Sequence, residues 1–273
     1  MAWHTRLNKH VVMKVVENCS DTVIQAHRNE VEALKNIKSI HIPQVLDFFI
    51  EGKKSYTIME YIDGVSFDKL LRFGQEFSQS QVITWYIHLA SALSVIHKHD
   101  ICHRDIKPAN IMRTANAEAC LIDFNSAFVS GNYTGVVSRS MGYASPEQYE
   151  YFKMCRSLQT AGTKEGFDYN ETALLTKDCK TAQGIVKNSA GHITPCYIDW
   201  KLSDIYSLGA TVFHLLTRKR PPVKADEVVL ISKQKGYPER LLSIIEQSMQ
   251  TEPSCRFTSA EELCCTLRSL ARS

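Results

Sequence analysis

Ile101–Asn125 reads ICHRDIKPANIMRTANAEACLIDFN, and the fold is decided by how this stretch is read. Three polar residues stand out in it: Asp105, Asn110 and Asp123. Apolar residues flank each of them, namely Ile101, Ile106, Ile111, Leu121, Ile122 and Phe124. Short buried strands bracketing a loop that carries exposed charge would produce this pattern.

Outside this stretch, composition sets the bounds. The 273 residues allow one large domain or two small lobes. Hydrophobic residues at 44% and charged residues at 22% are ordinary for a globular protein. A net charge of +3 and a pI near 8.3 are too mild to argue for nucleic acid as a partner. No apolar run has the length a membrane helix needs, and MAWHTRLNKH has no apolar core of a secretory signal. The nine cysteines are scattered, with Cys264 and Cys265 adjacent and no CxxC pair. That usage argues against a disulfide framework and for a reducing, cytoplasmic setting.

Upstream, His10–Val16 (HVVMKVV) is a β-branched run with Lys14 inside it. A lysine there needs a partner or a ligand, or else sits on the solvent face of an edge strand. Asp21–Ile37 has Val23, Ile24, Val31, Leu34 and Ile37 on a helical period, with Glu30 near the inner stripe. Ile42–Phe49 and Lys54–Tyr61 read as two strands joined by a turn at Glu51-Gly52.

Downstream, Ser78 and Gln81 make a capping box for a helix carrying Val82, Tyr86, Leu89, Leu93 and Ile96. Ser203–Thr217 is a second helix, with Ile205, Leu208, Val212 and Leu215 on one stripe. Arg218-Lys219-Arg220 after it reads as charge at a helix C-terminus. Thr258 with Glu261 caps the last helix, which runs to about Arg272.

The loop resembles the catalytic loop HRDxKxxN of protein kinases, and Asp123-Phe124-Asn125 resembles the DFG element that follows it. Both motifs, in this order and at this separation, carry the resemblance. It covers nearly all of residues 10–148 and 200–272. It implies an α+β, two-lobed fold: a small antiparallel sheet plus one helix over residues 1–62, then a mainly helical lobe over 63–273.

The function it implies is transfer of the γ-phosphate of MgATP to protein hydroxyl groups by a serine/threonine kinase. The resemblance assigns Asp105 and Lys107 to catalysis and Asn110 and Asp123 to magnesium. Lys14 would hold the α- and β-phosphates and pair with Glu30. The alternative for Glu30 is a solvated side chain beside Glu32 and Lys35. Met59 would be the gatekeeper, the backbone of Glu60 and Ile62 would bind adenine, and Met112 completes the cofactor-binding set.

The MGYASPEQY ending resembles that of bacterial Ser/Thr kinases, with Ser140 contacting the catalytic Asp and Lys. Arg104 matches kinases whose activation segment is ordered by phosphorylation, and Thr134 and Ser138 are the candidate acceptors on that segment. Glu147 would pair with Arg256. Asp204, in the first turn of its helix, would accept from the backbone near His103-Arg104, or else simply favour the helix dipole.

Three departures qualify the resemblance. No glycine precedes Lys14, so the glycine-rich loop is missing from a truncated, mis-started or adapted N-terminal lobe. Asn125 replaces the DFG glycine, and asparagine tolerates positive φ best among the other residues. A long polar insertion occupies about 150–200, read as a partner or substrate platform. Its Cys155, Cys179, His192 and Cys196 match no zinc spacing. The missing loop, Asn125 and the insertion favour the other functional class, a catalytically impaired kinase-fold module that regulates a partner. A small-molecule phosphotransferase is disfavoured by HRDIKPAN and the SPE ending.

Overall fold

The computed structural model describes residues 1–6, 8–17, 21–124, 127–129, 136–138, 140–160, 172–174, 183–187, 193–222, 224–229 and 231–272. At 21–23, 26, 30, 128–129, 136–138, 154–160, 172–174, 183–187, 193–197 and 225–226 the description is of backbone only.

The chain opens with β1 (Ala2–His4), β2 (Lys9–Val16), α1 (Asp21–Lys35), β3 (Val45–Glu51) and β4 (Lys54–Glu60). The four strands form one antiparallel sheet in the order β1-β2-β4-β3. β1 pairs only with Lys9–Val11, so at Lys14 the strand is paired on the β4 side alone; what departs from a plain solvent-facing edge lysine is its reach to Asp123 at 2.6 Å. The Ile42–Phe49 strand begins later than the apolar pattern suggests, at Val45. Pro43 has no N–H to give to a ladder, so His41-Ile42 form a turn before it. The turn after β3 needs Gly52, whose φ is +57°.

A second set follows: β5 (Gly64–Ser66), α2 (Phe67–Arg72), α3 (Gln79–Lys98), β6 (Ile101–Cys102), β7 (Ile111–Thr114) and β8 (Ala119–Leu121). Helix α3 starts with the expected capping box, the Ser78 hydroxyl accepting from Gln81 N–H while the Gln81 side chain accepts from Ser78 N–H. Its Trp85, Tyr86, Leu89, Leu93 and Ile96 are almost wholly buried, each contributing about 1.5–3 kcal/mol of transfer free energy. Beyond the DFN triplet come β9 (Phe128–Val129), which pairs with β6, and β10 (Val136–Ser138).

Within and after the insertion lie α4 (Pro146–Thr160), β11 (Thr172–Leu174), β12 (Gln183–Lys187) and β13 (Ile193–Tyr197). β11 pairs with β10, and β12 with β13. Asn125, Thr134, Cys179 and His192 lie outside the described residues, as do the side chains of Ser138, Cys155 and Cys196.

The helical end consists of α5 (Trp200–Thr217), α6 (Ala225–Val228), α7 (Glu239–Ser248) and α8 (Ala260–Leu270). Helix α5 starts three residues before Ser203, because Asp199 caps it by accepting from Lys201 and Leu202 N–H. Asp204 therefore sits in the second turn, not the first. A Cβ on Gly209 would lie 2.7 Å from Ser248, so glycine there lets α5 and α7 approach closely. The cap of α8 is Ser259, which accepts from Glu262 N–H; Thr258 instead donates to the Glu262 carboxylate, and the helix stops at Leu270. The expected Thr258 cap is thus one residue early, because neighbouring hydroxyl residues compete for one helix end.

Candidate active site

The site rests on Asp204. Its carboxylate is fully buried and accepts from His103 N–H at 2.7 Å, Arg104 N–H at 2.8 Å and His97 Nε2 at 3.0 Å. These bonds hold the loop after β6 in place. Arg104 takes φ +61° there, a conformation that needs outside support in a residue with a Cβ. Its guanidinium carbon lies 5.1 Å from the centre of the Trp200 ring.

His103 is the loop's inner anchor. The Ile122 carbonyl can only accept, 3.0 Å from Nε2, and the Asp105 N–H can only donate, 3.3 Å from Nδ1. The ring is thus the Nε2–H tautomer, and burial pushes its pKa down, which keeps it neutral. Phe124 meets it edge-on at 4.7 Å between ring centres.

Four polar side chains converge on the solvent side of this scaffold. One Asp105 carboxylate oxygen accepts from the Ser140 hydroxyl at 2.6 Å. The other accepts from Asn110 Nδ2 at 2.9 Å and lies 2.9 Å from Lys107 Nζ. Lys107 also donates to Ser140 at 2.9 Å. Asn110 Nδ2 gives its second hydrogen to the Asp105 carbonyl at 2.8 Å. With both amide hydrogens directed at Asp105, the Asn110 side-chain oxygen is the atom left over for a ligand.

From the opposite side, Lys14 Nζ reaches Asp123 at 2.6 Å. The two side chains keep 30% and 36% exposure, so the pair is open to an incoming group. They are 109 residues apart in sequence. Asp123 has φ +66°, a second left-handed non-glycine residue at the site. Asp123 and Asn110 together offer hard oxygen donors, which suit magnesium rather than a softer metal.

A cleft lies behind this pair, lined by Lys14, Val16, Val45, Thr57 and Met59 of the sheet, His27, Val31 and Leu34 of α1, and Phe124. Met59 is among the residues lining this cleft. Glu60, Ile62 and Met112 do not line this cleft. Glu60 ends β4 with its N–H on the Gln44 carbonyl, Ile62 follows it half-buried, and Met112 is half-buried in β7. Glu30 falls on α1, with its side chain outside the described residues.

His27 escaped the sequence reading. Its signal was its place at i, i+4 and i+7 with Val31 and Leu34 on the inner face. It meets Ser55 at 3.0 Å, and burial together with the Lys14 charge pushes its pKa down. Also missed was the buried group His97, Cys102 and Asp204, whose ligand atoms lie within 4.8 Å of one another. Asp204 is already committed to three donors, and burial pushes the Cys102 thiol up, so this group is a hydrogen-bonded support rather than a metal centre.

The activation-segment ending is anchored as its motif implies. Arg256 grips Glu147 with two bonds, 2.6 and 2.9 Å, and also donates to the Gln250, Leu202 and Thr251 carbonyls. Among the described residues no helix is long and apolar enough to cross a membrane.

Residues 1–158 match the protein kinase domain. A probable serine/threonine-protein kinase of Clostridium acetobutylicum is 26% identical over 282 residues, covering 96% of this chain and 36% of the relative. A probable serine/threonine-protein kinase of Streptomyces coelicolor has the same 26% identity and the same 96% and 36% coverage. Serine/threonine-protein kinase C of Synechocystis is 27% identical over 253 residues, covering 89% of this chain and 40% of the relative. The chain thus spans 36–40% of the length of these curated relatives. From the matched domain, together with the paired motifs that carry its residues to one site, the chain belongs to the protein kinase domain family.

Proposed function

We propose that the chain is a serine/threonine protein kinase that transfers the γ-phosphate of MgATP to a protein hydroxyl. The observation that carries this reading is the Lys14–Asp123 contact at 2.6 Å, facing the Asp105–Lys107–Ser140–Asn110 cluster. A purely structural domain has no need to bring two half-exposed charges and a carboxylate–lysine pair to one opening.

In this reading Lys14 draws the α- and β-phosphates, while Asp123 and Asn110 hold magnesium. Magnesium, when bound, neutralises charge on the phosphate oxygens. Asp105 orients the acceptor hydroxyl and takes its proton. A hydroxyl fits that place, since Ser140 already sits 2.6 Å from the carboxylate. Lys107 sets a positive charge beside the acceptor. In this reading Met59 lies against the nucleotide base from within the cleft, while the backbone of Glu60 and Ile62 binds the base from outside that lining, with Met112 in support. Glu30 steadies Lys14 from α1. The division into lobes at residues 62 and 63, the role of the 150–200 segment as a platform and a cytoplasmic setting belong to the same proposal.

The test is transfer of labelled phosphate to a generic protein substrate, comparing the native chain with Asp105→Asn. Loss of about 10²-fold or more is expected for the variant, the scale of a removed general base. Equal transfer by both proteins would refute the enzyme reading and leave a kinase-fold binding module. That module is checked separately by the thermal shift with MgATP.

A further inference from the structure

The basic run Arg218-Lys219-Arg220 begins at the end of α5. Arg218 is the C-cap of α5, yet its side chain turns away to Glu76 at 3.4 Å. It also lies 3.6 Å from where a Gly74 side chain would begin, just past α2. Three residues later Pro221 comes within 3.5 Å of the corresponding point on Gly142. The run therefore spans the gap between the end of α2 and residues 140–143. Ser140, at the start of that turn, holds both Asp105 and Lys107. Its carbonyl accepts from Tyr143 and Ala144 N–H at 3.0 Å, which closes the turn against the catalytic loop.

The charges on this rim are unbalanced. Four cations lie along it, Arg72, Arg218, Lys219 and Arg220, and the acids that pair with them among the described residues are Asp68 and Glu76. Both acids are already used: Asp68 pairs with Arg72 at 2.5 Å and Glu76 with Arg218. Among the described residues, Lys219 and Arg220 are exposed and make no ion pair. Arg220 is close enough for its charge to act on both members of the Tyr143–His214 hydrogen bond, which measures 2.6 Å. Met141, half exposed, adds an apolar contact at the same edge.

We propose that this rim selects the acceptor, favouring protein segments in which acidic residues flank the hydroxyl residue. An extended chain whose hydroxyl lies at Asp105 carries its neighbours over residues 140–143 and onto Lys219 and Arg220, where carboxylates find two unpaired cations and lysines find repulsion. The inference rests on the kinase reading for the placement of the hydroxyl, and on the charge balance for the preference.

The experiment uses the full chain and two serine peptides, identical except for glutamates or lysines at the flanking positions. At low salt the glutamate peptide should show about tenfold higher kcat/KM, since each exposed pair contributes up to a few-fold and salt screens it. Lys219→Glu/Arg220→Glu should reverse the order while keeping its melting temperature. Equal turnover of the two peptides by the native chain, or a lysine preference, overturns the proposal. A second arm needs no turnover: fluorescein-labelled versions with alanine in place of serine, followed by anisotropy. Tighter, salt-sensitive binding of the glutamate version supports the rim even if no phosphate is transferred to any peptide, a result that would sink only the kinase reading. Equal binding overturns the rim.

Discussion

Replacing Asp204 by asparagine separates two roles for that residue. If its charge merely favoured the start of a helix, the loss would be about 0.3–1 kcal/mol, and less beyond the first turn. The structure predicts more. Asp204 lies in the second turn of α5, fully buried, with both oxygens engaged by backbone N–H groups. An amide keeps one acceptor and turns the other position into a donor. At least one of the His103 and Arg104 N–H groups then faces another donor, which costs about 1–3 kcal/mol. The surviving bond loses its charge assistance, and ionised acceptors make bonds roughly twice as strong as neutral ones. Arg104 is then less firmly held in its left-handed conformation.

Together these effects amount to about 3 kcal/mol, or a drop in melting temperature of about 6–12 °C for a chain of this size. The assay is thermal unfolding of the two proteins by circular dichroism, with urea titration to give the free energy. Transfer of labelled phosphate by the folded variant should fall as well, because Asp105 follows Arg104 in the displaced loop. A loss below about 1 kcal/mol would refute the loop-anchoring argument and restore the dipole reading.

Arg256→Met leaves the Glu147 carboxylate without its two-bonded partner in a site where the arginine side chain has 0% exposure. Loss of about 3–5 kcal/mol is expected, measured by urea unfolding, and a double-mutant cycle with Glu147→Gln should show strong coupling. Lys14→Met should abolish the stabilisation conferred by saturating MgATP, which at a hundredfold excess over Kd amounts to about 2.7 kcal/mol in the native chain. An unchanged thermal shift would remove Lys14 from the nucleotide site.

The pH profile should reflect His41 and His88, stacked at 4.2 Å between ring centres. The Ala119 carbonyl holds His41 as an Nδ1–H donor, while the Ala119 N–H donates to Nδ1 of His88. Glu118 pulls both pKa values up, but burial wins and pushes both down, His41 adding to the effect on His88. A histidine depressed in the folded state resists protonation that the unfolded chain accepts. Stability is therefore full above the ordinary value of 6.5 and declines as the pH falls through it toward the depressed folded values. Melting temperatures taken from about pH 7.5 down to about pH 5 should fall, and His41→Asn/His88→Gln should flatten the slope.

Local pattern made the elements legible, and the family resemblance picked out the candidate reacting groups among them. Lys14 within a β-branched run, the Ser78–Gln81 box and the alternation around Asp105, Asn110 and Asp123 are decided by neighbours within a turn or two, so periodicity and capping chemistry expose them. Even there, the start of α5 slipped from Ser203 to Trp200 and the cap of α8 from Thr258 to Ser259.

Local pattern could not reveal contacts between residues about a hundred positions apart, which only the family resemblance anticipated. Lys14 meets Asp123, and Asp204 meets His103 and Arg104, across separations of 109, 101 and 100 residues. The stack of His41 on His88 and the turn of Arg218 toward Glu76 likewise join separate elements. No propensity or spacing encodes these, because each depends on which faces of separate elements are buried together, and that is settled only when the core closes.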